Sequence, residues 1–94
     1  RVFRDPTPPD VALDFCQTVL TAPSAIRIRP GREHWRIFEN LCRDLGARGN
    51  VIPDAFLAAM AIEVGATFIT TDAGFARFPG LRWRRPFDTN PGRR

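Results

Sequence analysis

Apolar positions along the chain alternate between a helical and a strand repeat. Ala12, Phe15, Cys16 and Val19 recur at steps of three and four, with Leu13 and Leu20 widening the stripe, so a one-sided helix is predicted up to about Thr21. Thr7, Pro8, Pro9 and Asp10 supply its start: a capping hydroxyl, a proline for the first helical position and an acid at the positive end of the macrodipole. Pro23 and Ser24 break the pattern. Ala25 to Arg29 then alternates apolar and charged with a period of two, which predicts a short edge strand closed by Pro30 and Gly31. The helical period returns from Arg32 to Leu45, with Trp35, Phe38, Leu41, Cys42 and Leu45 on one face and Glu39 placed to pair with Arg43. His34, at the start of that helix, reads as a surface or half-buried residue without chemistry.

The second half of the chain is more apolar. Pro53 to Val64 is interrupted only by Asp54 and Glu63, which predicts a helix covered on most sides and ended by Gly65. Thr67 to Thr70 has the composition of a buried strand. A short helical turn from Asp72 to Phe78 and a final strand over Leu81 to Arg84 follow, and residues 89–94 read as a loose tail after a domain over 1–88. Helices alternating with strands predict an α/β fold with a mainly parallel sheet. So few strands imply that others precede Arg1.

Composition narrows the chemistry. Fourteen cationic residues against ten acids leave a net charge of +4, and every cation is an arginine. Lysine-dependent chemistries are excluded, and one histidine with two cysteines cannot build a four-ligand structural zinc site. The positive charge favours an anionic partner such as nucleic acid. Cys16 and Cys42 read as free buried thiols in a reducing cytoplasm, and no apolar run is long enough to span a membrane.

Asp54 and Asp72 are the residues whose placement carries chemistry. The helix rises roughly 15 Å from Asp54 to Val64, and the strand returns roughly 16 Å from Thr67 to Asp72. Only Gly65 and Ala66 separate the two elements, so both carboxylates are expected at the carboxyl edge of the sheet, where open α/β sheets place ligands. Paired hard oxygen ligands suit Mg2+ or Mn2+, and a metal there could activate water against a phosphodiester. A structural reading stands beside this one: Asp54 as a first-turn acid and Asp72 as an N-cap.

The run Gly49 to Ala59, then Glu63 to Asp72, then Phe75, Phe78, Pro79, Gly80, Leu81 and Trp83 resembles the C-terminal half of PIN-domain ribonucleases, specifically VapC toxins of VapBC toxin–antitoxin pairs. The resemblance implies a PIN-like α/β/α sandwich, incomplete at the N-terminus, and Mg2+- or Mn2+-dependent hydrolysis of RNA. It places metal and catalytic roles on Asp54 and Asp72. Thr70 matches a hydroxyl residue that supports the second aspartate, and Thr70, Asn50 and Arg77 are expected to serve substrate binding; Arg82, Arg84 and Arg85 are further candidates for phosphate contacts. Expected partners are RNA, a VapB-like antitoxin, a second copy of the chain and the chain's own missing N-terminal segment.

Gly74 stands where many relatives carry another acid. The family's first strand with its aspartate, and the next helix with its glutamate, would lie before Arg1, so the 94 residues alone are expected to hold metal weakly and to cleave RNA poorly. The alternative is a non-catalytic, arginine-rich RNA-binding or antitoxin-docking module. A Rossmann-like nucleotide binder ranks last, because no Gly-rich phosphate loop follows a strand.

Overall fold

A computed structural model describes residues 8–86. Three α-helices, α1 (Pro9–Thr21), α2 (His34–Leu45) and α3 (Val51–Val64), are followed by strand β1 (Thr67–Ile69), a 3-10 turn (Ala73–Arg77) and strand β2 (Arg82–Arg84). The two strands pair in parallel, with Thr67 opposite Arg82, Phe68 opposite Trp83 and Ile69 opposite Arg84. The α/β class and the parallel pairing are as the sequence predicts. The cap expected from Thr7, the segment Arg1 to Phe3 and the tail over 89–94 lie outside the described residues.

The core forms where α2 and α3 pack, closed from below by the turn between the strands. Leu41, Ala55, Ala58, Ala59, Phe75 and Phe78 are its buried members. Alanines on α3 let α2 approach closely, and Phe75 and Phe78 fill the space left beyond them. Gly65 takes the left-handed conformation, φ 71°, and the amide of Ala66 bonds the Ala61 carbonyl at 2.9 Å. The reversal is therefore completed within two residues, and β1 runs back along the helix it follows.

Several expectations about packing are corrected. In α1 Pro8 is the cap and Pro9 the first helical residue, and none of its side chains is buried: Phe15 is 69% exposed, and Cys16 is an exposed free thiol rather than a buried one. Its apolar stripe meets no core among the described residues. Residues 25–29 form no strand; a strand needs ladder partners, and the chain just after this segment, at Gly31 and Glu33, is anchored to a helix instead. On α2 the buried face is rotated toward His34, Ile37, Phe38 and Leu41, leaving Trp35 exposed. On α3 only the alanine face is covered, while Ile52, Phe56, Leu57 and Val64 are exposed, and in β1 only Phe68 is half-buried.

His34 is also deeper than expected, at 3% exposure. Its Nε2–H donates to the Phe56 carbonyl at 2.9 Å, and its ring meets the Phe56 ring edge-on at 4.3 Å. The hydrogen bond satisfies a polar group that burial would otherwise penalise. His34 therefore acts as an α2–α3 fastener.

Glu63 anchors the segment before α2. Its carboxylate accepts hydrogen bonds from the Gly31 amide at 2.8 Å and the Glu33 amide at 2.9 Å. A Cβ on Gly31 would lie 2.5 Å from Glu63 Oε2, so the approach depends on glycine. The Gly31 hydrogen bond is the main reason that the Glu63 carboxyl sits below the usual carboxylate range, with the Glu33 amide and the His34 charge adding to it against partial desolvation. Because the folded state holds the proton less tightly than the unfolded chain, this contribution is complete above the ordinary carboxylate pKa and is lost as pH falls through the lowered folded value. Urea midpoints measured across the acid range should show Glu63→Gln with a lower midpoint at neutral pH and a shallower loss on acidification than the parent. Parallel curves for the two proteins would contradict the anchor.

Candidate active site

Three short stretches build the site at the carboxyl edge of the sheet. Asp54 lies in the first turn of α3, one residue before buried Ala55, and its amide bonds the Asn50 carbonyl at 3.4 Å. Asn50 therefore sits one turn below Asp54 at the helix start, exposed, and its side chain makes no capping hydrogen bond. Asp72 lies just beyond β1. Thr70, whose amide continues the ladder by donating to the Arg84 carbonyl at 3.0 Å, also receives the Asp72 amide on its hydroxyl at 3.1 Å. Thr70 thus fixes the backbone of Asp72.

The capping role predicted for Asp72 is present: its Oδ1 accepts the Gly74 amide at 2.8 Å at the start of the 3-10 turn. Cap and ligand are compatible functions, since the second carboxylate oxygen is not the one used by the cap.

Arg77 reaches from the turn after Asp72 to Asp54. Its Nη1 lies 3.7 Å from Asp54 Oδ2, in an ion pair whose side chains are 39% and 27% exposed. On the other side, the Cβ that a substitution would add to Gly74 falls 2.8 Å from Arg77 Nη2 and 2.9 Å from Asp72 Oδ1. The guanidinium and the Asp72 carboxylate therefore border the same small space, which exists because residue 74 has no side chain. The guanidinium carbon also lies 5.6 Å from the centroid of the buried Phe78 ring. Asp54 thus has a cation against it, and Asp72 lies across the small gap beside Gly74 from that cation. Among the described residues no group of three or more His, Cys, Asp or Glu side chains could hold a metal ion.

The other arginines are placed differently. Arg82, at the start of β2, donates to the Gly65 carbonyl and so belongs to the opposite end of the sheet. Arg85 lies 5.5 Å from the centroid of the Trp83 ring. Arg84 pairs with Ile69 near the carboxyl edge.

Residues 11–81 match the family model of the PIN domain. The chain belongs to the PIN-domain family. This PIN chain is similar to Ribonuclease VapC43 of Mycobacterium tuberculosis, at 51% identity over 88 residues that cover 94% of the chain and 60% of the relative's own length. It is 36% identical over 86 residues to Ribonuclease VapC31 of the same organism, covering 92% of the chain and 61% of that relative. Ribonuclease VapC37 is 35% identical over 85 residues, covering 90% and 59%. The chain thus spans about 60% of the length of the curated relatives it matches.

Within this PIN chain, the contact between Arg77 and Asp54 was not visible in the sequence. The spacing places Arg77 on the turn after Asp72, but its reach to the helix start depends on the fold of that turn. Gly74 carried the available signal: its lack of an acid reads as a missing ligand, whereas in the structure it makes room for a cation.

Proposed function

We propose that this chain carries two carboxylates, Asp54 and Asp72, of a Mg2+- or Mn2+-dependent endoribonuclease site, and that the protein is the toxin of a toxin–antitoxin pair acting on RNA in the cytoplasm. The observation that carries the reading is the Asp54–Arg77 contact beside Asp72 at the carboxyl edge of a parallel sheet. PIN-family membership and similarity to proteins named ribonucleases support it.

The donor set fits a hard divalent ion. Carboxylate oxygens are its preferred ligands, and Mg2+ commonly takes one or two carboxylates and completes its shell with water. Asp54 and Asp72 would hold the ion. When bound, it supplies positive charge against the phosphoryl oxygens and acidifies water. Thr70 keeps Asp72 in place through its backbone amide, and Arg77 can donate to a phosphate oxygen of the RNA chain. Asn50 stands at the rim, within the same helix start.

A second reading, a non-catalytic RNA-binding or antitoxin-docking module, is favoured by the small number of acids at the site among the described residues. Exposed Leu13 and Phe15 on α1 leave apolar surface for a VapB-like antitoxin or a second copy of the chain.

Cleavage of a labelled single-stranded RNA by the full translated chain separates the two readings. Activity should vanish with a chelator and return with added Mg2+ or Mn2+. Cleavage indifferent to chelation, or RNA binding with no cleavage at any metal concentration, would overturn the nuclease.

A further inference from the structure

We propose that Arg77 is an internal counter-cation of the site, which occupies the space beside Asp54 and Asp72 and has to withdraw before a divalent ion is held there. The inference rests on the reading of those two acids as metal ligands and adds a regulatory element to it. Arg77 Nη1 is 3.7 Å from Asp54 Oδ2, while Nη2 borders the same space beside Gly74 as Asp72 Oδ1. A guanidinium set against Asp54 Oδ2 and a divalent ion on that same oxygen exclude each other, since the carboxylate attracts both and the two cations repel.

The pair is only partly buried and its charged atoms are 3.7 Å apart, and partly exposed ion pairs of this length are weak. Weak retention is what a displaceable occupant requires. The guanidinium also lies over the Phe78 ring, 5.6 Å from its centroid, a contact available beside Asp54 from which it can turn to a phosphate. Gly74 completes the device, because any side chain there would take up the place of the guanidinium.

Equilibrium binding of Mn2+ to the full translated chain, followed by electron paramagnetic resonance, tests this directly and does not depend on turnover. Arg77→Gln should bind Mn2+ about threefold to tenfold more tightly than the parent, the range expected when a partly exposed competing charge is removed. Arg77→Met, which keeps most of the side-chain length without the charge, should do the same and secures the result if the glutamine variant folds poorly. Arg36→Gln removes a charge that pairs with Glu33 instead and should change nothing. Unaltered or weaker Mn2+ binding by both Arg77 variants, or equal tightening by Arg36→Gln, would overturn the proposal. Asp54→Asn measured alongside keeps the two readings apart: if it binds Mn2+ as the parent does, the metal pair itself is wrong; if it loses Mn2+ while the Arg77 variants show no gain, only the counter-cation fails.

Discussion

Asp54→Asn and Asp72→Asn should each lower Mn2+ affinity and metal-dependent RNA cleavage by about two orders of magnitude or more, because each removes a full charge from a two-carboxylate ligand set. Asparagine keeps the size of the side chain, so packing changes little. At position 72 it also keeps the cap, since asparagine caps a helix about as well as aspartate. At position 54 the loss of a first-turn acid costs only about 0.3–1 kcal/mol. Both variants should therefore remain folded, with circular dichroism spectra like that of the parent. The same pair separates the competing function. In a module that only binds RNA, removing a negative charge beside Arg77 should strengthen RNA binding in a salt-dependent way, with no cleavage to lose. Gel-shift titrations at two salt concentrations, run beside the cleavage assay, read both outcomes.

Phe75→Ala should have the largest effect on stability, about 3–5 kcal/mol, set by the cavity left when a buried aromatic is truncated. Phe75 is buried, its ring is 4.6 Å from that of Phe68 and 5.7 Å from that of Phe78, and its amide bonds the Asp72 carbonyl at 3.2 Å. Domains of this size have only about 5–15 kcal/mol in total, so a substantial fraction of the variant should be unfolded in mild urea. Phe75→Leu, which refills most of the volume, should cost much less. Equal urea midpoints for Phe75→Ala and the parent would show that the turn is not anchored by the core.

Elements with strong local signals were legible in the sequence. Helices α2 and α3, the glycine that ends each, the strand beginning at Thr67 and the capping aspartate at residue 72 follow from periodicity and from side-chain chemistry that acts within a few residues. The helix–strand length match also points Asp54 and Asp72 toward the same edge, an expectation that Mn2+ titrations of their asparagine variants test. Long-range partners were not legible. The alternation over Ala25 to Arg29 looks like a strand, but pattern alone cannot supply a neighbouring ladder, and Glu63 draws the residues just after it, Gly31 and Glu33, onto α3. His34 looked peripheral because a single histidine carries no period; its burial depends on the Phe56 carbonyl twenty-two residues away. The rotation of the α2 face has the same origin, since Trp35 and Ile37 are equally apolar and α3 selects between them.

The parallel pairing of β1 and β2 obliges the chain to travel back across the sheet between Ile69 and Arg82, and that return path is the segment bearing Asp72, Gly74, Arg77 and Phe78. Thr70, which holds the Asp72 backbone, is itself tied to the Arg84 carbonyl, so the placing of Asp72 depends on the closing of the sheet, whereas Asp54 rides on its helix. Fraying of the last strand would loosen the Asp72 side of the polar cluster and leave the other side standing.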